Sequence, residues 1–385
     1  MHELNRADGV SGANGTGEAG EVNGADTADN TTTRRLLVLT VAASILSCLF
    51  VLSYGYALHA PSPHRIRVDV VAPPSTTAQV RGQLEKTAHG GFDVRARSTE
   101  HQARADILDT SASGALVVPS SGPARVLTAG AGGVSLQQVV SGGLGGAARM
   151  LDRPVRAVDE APLPAGDRAG QSSFGYEIGL VVPGVAGSIG LYLFGRRIRL
   201  WFRVAAALGY AVLSAALGVF MMDGVLGALT GSPWALIATG AAASMVFLLT
   251  MAAVHALFGL PGTTLGAAAL VIVGNAANGS TVPVPMLPNV YRQVSPWLPN
   301  GAAIRSFRDV TYFAGHGLTQ PLLALALWAL GALTVISLAD LLHLRQKRHS
   351  GLPPAQIHAT PALIHLRRRH AARRSGARIP GRAGR

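Results

Sequence analysis

The stretch from Leu36 to Leu58 runs for 23 residues without a charge. At about 1.5 Å of rise per residue, a helix of that length crosses a hydrocarbon layer of roughly 30 Å. Arg34 and Arg35 stand just ahead of it. A cleaved signal peptide would have a shorter apolar core, about 7–15 residues, with small residues at the cut. The following "YALHAPS" is a poor cleavage site, so residues 34–58 read as an uncleaved transmembrane anchor.

Five further apolar runs lie near Phe174–Phe194, Val204–Met222, Pro233–Phe258, Gly262–Asn275 and Gln320–His343. The fifth span of the resulting six is the shortest. Half of the chain, 49%, is hydrophobic and only 14% is charged, a balance usual for integral membrane proteins. The formal charge of +13 is unevenly placed. Arg196, Arg197, Arg199 and Arg203 crowd the connection after the second span, and the segment from Leu341 onward has bases but no acid. Basic connections mark the cytoplasmic side. Six spans then put both termini and the Arg196–Arg203 connection in the cytoplasm of a multi-pass plasma-membrane protein. The basic tail, 344–385, fits a membrane face better than nucleic acid, because no nucleic-acid-binding fold accompanies it. The Arg-dominated, Ala- and Gly-rich composition accords with a bacterial source.

Residues 1–33 are Gly, Asn, Thr, Asp and Ala and bury too little apolar area to order themselves, so disorder is expected there. Residues 59–173 alternate strand and helix patterns. "HRIRVDVVAP", "FDVRARS", "GALVVP", "ARVLTAG" and "PVRAVDEAPLP" read as strands. "TTAQVRGQLEKTAHG" with a Thr cap, "TEHQARADILDTS" and the Gly-weakened "SLQQVVSGGLGGAARML" read as helices. Together they make one small α/β domain between spans one and two, outside the cytoplasm. The expected fold is therefore membrane α-helical: six transmembrane helices, 34–58 and five more within 174–343, with an extracytoplasmic α/β domain.

Motifs for chemistry are missing. There is no G-x-x-x-x-G-K-[ST], no H-E-x-x-H and no G-x-S-x-G, and the Gly-rich "AGAGGVSLQQVVSGGLGG" does not complete G-x-G-x-x-G. The single cysteine, Cys48, sits inside the first apolar run and can form no disulfide within one chain. No enzyme activity, cofactor or metal is expected. Polar groups inside or at the ends of spans are few, with Glu177, Asp223 and Asn275 the intramembrane candidates. Glu177, Asp223 and Asp340 are all close enough to an interface to snorkel or pair there, as is His255 near the cytoplasmic end of span four. No chain of buried acids marks a proton path, which argues against an ion-driven transporter. Small residues four apart, Gly175/Gly179, Ser214/Gly218, Gly240/Ser244 and Gly262/Gly266, let helix backbones approach closely.

Two connections stand out. "RRIRLWFR" interleaves Arg196, Arg197, Arg199 and Arg203 with Trp201 and Phe202, the pattern of an interfacial anchor or of a short helix docking a cytoplasmic partner. Residues 276–318 are broken by Pro283, Pro285, Pro288 and Pro299, carry Tyr291 and Trp297 of the kind that suit an interface, and restart as an amphipathic helix. There Ile304, Phe307 and Val310 share one face, with Arg305, Arg308 and Asp309 off it. Irregular backbone at membrane depth survives only against protein, at the interface or beside water. The segment is expected to form a re-entrant or interface-lying external gate over the mouth of the bundle.

The layout, together with three stretches, resembles type-2 ABC exporter permeases and, more closely, bacterial membrane proteins related to the phage-infection protein. "ARADILDTSASGALVVPS" (Ala103–Ser120) looks like that family's helix leading into a Gly-Ala-Leu-Val strand. "ARVLTAGAGG" resembles the strand that follows, and "VDEAPLPAGDRAG" (Val158–Gly170) resembles the V-D-x-x-P-L-P-x-x-D-x-x-G segment before the second span. The resemblance spans roughly residues 36–343. It implies a permease subunit that moves an amphipathic substrate with a separate ATP-binding subunit docked at Arg196–Arg203. The path would be formed by two copies or by one copy with a sister subunit. The other class of reading is a cell-envelope receptor or scaffold whose external domain binds a partner without transport.

Overall fold

A computed structural model of the chain describes residues 18–195 and 198–349. Five helices among them are long and apolar enough to cross a membrane, in agreement with a multi-pass helical membrane protein. They are carried by α1 (Glu18–Leu58), α5 (Ser172–Phe194), α6 (Leu200–Val219, prolonged by a π-helical turn over Phe220–Val225), α7 (Pro233–Phe258) and α11 (Thr319–His349). α7 is the axis: α5, α6, α11 and the shorter α10 (Pro299–Tyr312) all pack on it. From Thr32 on, α1 is exposed almost all round, and its buried residues, Ser53 and Ala57, lie near its end. It also begins at Glu18, inside the stretch expected to be disordered. Once the apolar run has nucleated a helix, each added residue costs little.

The expected fifth span differs from the others. Gly262–Gly274 is helical, with α8 (Gly262–Ala267) passing into a π-helical stretch over Ala268–Gly274. Its rise of about 20 Å falls short of a full crossing. Glycines let it lie tight against its neighbours. A Cβ on Gly266 would strike Met251 and one on Gly274 would strike the Asn300 amide. The same holds for Gly218 and Gly240, whose Cβ atoms would run into the buried Tyr176 ring and its hydroxyl, whereas Gly179 faces open space.

The α/β domain carries a five-stranded sheet in the order β2-β1-β3-β4-β5. The strands are β1 (Ile66–Val71), β2 (Phe92–Ala96), β3 (Gly114–Val117), β4 (Ala124–Thr128) and β5 (Val155–Asp159). Only the β3–β4 pairing is antiparallel. Each strand falls within a segment whose sequence pattern points to it, and α2 and α4 begin two residues and one residue ahead of theirs. α2 (Pro74–Thr87) and α4 (Val134–Arg149) cover one sheet face through Val80, Leu84, Val140 and Leu144; α3 (Glu100–Leu108) covers the other through Ala103 and Ile107. Thr99 caps α3 by accepting the Gln102 N–H at 3.2 Å. The expected Thr cap on α2 is replaced by proline: the helix starts at Pro74 after Pro73, a first-turn position where the missing N–H costs nothing. One of the four glycines of α4 serves packing, since a Cβ on Gly143 would lie 2.9 Å from the Phe92 ring; Gly142 and Gly146 face open space.

On the α3 face, Asp69 is fully buried and accepts from Arg95 Nε at 3.0 Å, while Arg97 Nε meets Asp106 of α3 at 2.6 Å. These four charges tie α3 to the β1–β2 edge. Burial pushes the Asp69 carboxyl up to about 6, with Asp106 beside it and against the pull of both arginines. Asp106 is held down: its own burial, the largest influence, would raise it, but the hydrogen bonds with Arg97 and Asp69 and the charges of Arg97 and Arg95 together outweigh that.

The domain and the helices share their cores. Ala57, Ala276, Val282, Met286 and Leu287 join the α2/α4 face, and Phe313 joins the α3 face. Backbone bonds from Ser62 N to the Met286 carbonyl at 3.3 Å, and from His64 N to the Pro285 carbonyl at 3.0 Å, lock the Pro-broken segment against the domain.

Candidate functional site

Under the α/β domain, three polar side chains from three elements converge inside the bundle. Glu177 comes from the second turn of α5, Asn275 from just past the short fifth helix, and Asn300 from the first turn of α10; all are buried. Asn300 Nδ2 reaches Glu177 Oε1 at 2.6 Å, Asn275 Oδ1 at 2.7 Å and the Leu270 carbonyl at 3.1 Å. An amide nitrogen carries two hydrogens, so three acceptors compete for them. Glu177 Oε2 and Asn300 Oδ1 have no partner among the described residues. The sequence singled out Glu177 and Asn275 and missed Asn300. The signal was present: Pro299 opens a helix whose second residue is an amide, inside a segment with few other reasons to bury one.

Asp223 is not part of this cluster. It lies half-buried on the π-helical turn after α6. His255, near the other end of α7, is buried and bonds Thr263 Oγ1 through Nε2 at 2.7 Å.

α10 carries a second anchor one face further on. Arg308, only 8% exposed, donates to the carbonyls of Gly170 (3.1 Å), Gly279 (3.2 Å) and Ser280 (3.0 Å). One guanidinium thereby joins the end of the α/β domain, the start of α5 and the Pro-broken segment. Tyr312 closes the same corner by donating to Asp167 Oδ2 at 2.7 Å. The amphipathic reading of this helix placed Arg308 and Asp309 off its apolar face. Both are buried, because the domain packs over the side that a lone interfacial helix would leave wet.

The remaining gate candidates occupy distinct places. Pro283 packs on Gly133, whose φ of 124° and lack of a Cβ leave room for the ring. Pro285 supplies the carbonyl to His64, and Pro288 precedes α9 (Asn289–Val294). Tyr291 shares a hydrogen bond of 2.7 Å with Ser53 Oγ and meets Tyr56 edge-on, which docks α1. Trp297 is half exposed, and its carbonyl accepts from Trp328 Nε1 at 2.7 Å; Pro299 is buried at the head of α10. Arg305 is half-buried with Asp309 as its nearest counter-charge.

Two cavities flank this segment. One of about 530 Å³ runs between the sheet and α10, past Asn278, Trp297, Arg305 and Arg308. The other, of about 410 Å³, opens beside it at Arg65, Asp93 and Arg292.

At the opposite end of the bundle stands what is described of the "RRIRLWFR" connection. Arg196 and Arg197 lie outside the described residues. Arg199 precedes α6 and is exposed; Trp201 and Phe202 stack on one another at 3.5 Å between ring centroids and are both largely exposed. Arg203 borders an apolar hollow of about 190 Å³ together with His255 and Asp340.

Comparison with models of known protein families and with curated proteins finds no match to this chain.

Proposed function

We propose that the chain is the permease subunit of an ABC-type exporter in a bacterial plasma membrane, with both termini in the cytoplasm and the α/β domain outside. A single observation carries this reading. The bundle interrupts its own helical regularity where Glu177, Asn275 and Asn300 meet, and residues a few positions further along the same segments, Asn278, Gly279 and Ile304, line a cavity beneath the domain. A structure that only anchors a domain gains nothing by burying a carboxylate and two amides at a helix break, because such groups are costly in an apolar bundle. A pathway needs polar, irregular backbone at that place. On this reading the short helix completes the sixth crossing, and the Pro-broken segment with α10 forms the external gate at its outer end. The exposed Arg199, Trp201 and Phe202 at the far end are the docking surface for a separate ATPase, and a second copy or a sister subunit completes the path. The substrate is amphipathic, since the route offers both apolar walls and charge.

The test is co-purification of tagged protein from native membranes, joined to export of amphiphiles by a deletion strain. The expected result is recovery of an ATP-binding subunit, its loss in a Trp201→Ala/Phe202→Ala variant, and reduced export in the deletion. Recovery of no ATPase together with unchanged export overturns the permease reading and leaves an envelope receptor or scaffold.

A further inference from the structure

The two cavities beneath the domain adjoin, with Arg67, Thr110, Ser113, Val284 and Pro285 in the walls of both. Their linings hold five arginines, Arg65, Arg67, Arg292, Arg305 and Arg308, against two aspartates, Asp93 and Asp309. Among the described residues, none of the five forms an ion pair within 4.0 Å. This contrasts with Arg95 and Arg97 nearby, each of which has carboxylate partners.

The hydrogen-bond inventory points the same way. Arg292, Arg308 and Asn278 line the cavities, and each carries a buried donor, Nη1, Nε and Nδ2, with no acceptor among the described residues. All three are donors; Gln320 Oε1 is the one acceptor in the same state. A surplus of donors and positive charge recognises an anion, and charge-assisted bonds to phosphate or carboxylate are the strong ones. A small soluble anion would leave much of the cleft unmatched, because beyond the arginines the wall includes the apolar Leu136, Pro283, Trp297, Ile304 and Phe313 beside the polar Asn278, Asp309 and Gln320. The volumes of about 410 and 530 Å³ are those of sites that hold a small organic molecule.

We propose that this cleft binds an amphiphile with a compact anionic head on an apolar tail. The head lies at Arg65, Arg67 and Arg292, and the tail runs past Trp297, Ile304 and Phe313. The inference rests on the exporter reading for its role, in which it gives the substrate its charge, but not for its test. The head is a phosphate, as in an acidic phospholipid, or a carboxylate, as in a fatty acid; both present the same acceptors.

The experiment is equilibrium binding to the full-length protein purified in neutral detergent. Its probes are phosphatidylglycerol, oleate, phosphatidylcholine and glycerol phosphate. Phosphatidylglycerol or oleate is expected to bind about tenfold or more tighter than phosphatidylcholine, and whichever does so names the source of the head. Arg67→Glu, at an exposed position, is expected to weaken that binding about tenfold. Arg156→Glu, exposed on β5 and outside the cleft, leaves it unchanged and serves as the control for added negative charge. Three results would each overturn the proposal: no preference over phosphatidylcholine, glycerol phosphate binding as tightly as the intact lipid, or equal losses in Arg67→Glu and Arg156→Glu. ATPase co-purification is read separately. Lipid preference without an ATPase removes the exporter reading alone, and an ATPase without lipid preference removes this inference alone.

Discussion

In the α/β domain, Asp69 and Asp106 meet Arg95 and Arg97 on a sheet face that leaves the two arginine side chains 27% and 29% exposed. Between that domain and the bundle, Arg308 meets only carbonyl oxygens, and inside the bundle Glu177 meets only an amide. The domain neutralises charge with charge and lets water share the work at the edge. The bundle has no water to share and too few charges to pair, so it holds its ionisable groups with dipoles. Bonds to oriented carbonyls require backbone in fixed places, and Arg308 accordingly fastens three segments far apart in sequence. The quartet, by contrast, could lose one member and keep the rest.

That contrast breaks first at Arg308. Arg308→Ala removes the donor from three buried carbonyls at once and is expected to cost about 3–5 kcal/mol, whereas Arg95→Ala, with Arg97 still at hand, should cost about 1 kcal/mol. Unfolding midpoints of the full-length protein in detergent measure both. Comparable losses would mean that the two kinds of site are energetically alike.

The next largest effect tests how firmly the bundle is packed around its polar groups. Tyr176, beside Glu177, is buried and donates to the Ala215 and Leu236 carbonyls, and Gly240 leaves room for its hydroxyl. Gly240→Ala forces that ring to move and should cost about 2–3 kcal/mol. Gly179→Ala meets open space and should be neutral or mildly stabilising, by up to about 1 kcal/mol, because alanine holds a helix better. A neutral Gly240→Ala would show a bundle loose enough to re-seat Tyr176. Asn300→Ala then leaves Glu177 Oε1 and Asn275 Oδ1 without their shared donor, at an expected cost of about 1–2 kcal/mol. On the proposed exporter reading, export should fall further than stability does. An Asn300→Ala protein that unfolds earlier yet exports normally would reduce the cluster to a structural pin.

How much of this was legible in the sequence differs by region for the same physical reasons. The α/β domain is local: period-two strands and short helical patterns announce themselves within about ten residues, and every strand appears where its pattern stands, although the Thr cap read for α2 gives way to Pro73 and Pro74. The long apolar helices are equally plain. The candidate site is not, because its members are joined only in space. Glu177 and Asn275 draw notice as polar residues among apolar ones, but Asn300, the residue that joins them, sits in a segment where polar residues are ordinary. The buried face of α10 was missed likewise. Its periodicity, Ile304, Phe307 and Val310, reports one apolar side, and nothing local reveals that a domain encoded some two hundred residues earlier covers the other.

The smallest effect returns to the quartet. Burial holds the Asp69 carboxyl at about 6, above the value near 3.8 of a free aspartate. The folded state therefore binds this proton more tightly than the unfolded state does. Its contribution to stability is whole below about pH 4 and is lost as pH rises toward 6. Asp106, held down, works in the opposite sense and contributes above its unfolded value. Asp69→Asn keeps the shape, still accepts from Arg95 and cannot titrate. Its melting temperature should show a shallower fall between pH 4 and 6 than that of the unsubstituted protein, with no penalty at pH 7. A pH profile unchanged by Asp69→Asn would mean that the two arginines already hold Asp69 ionised throughout. The domain's answer to buried charge would then be complete neutralisation rather than the partial one its geometry describes.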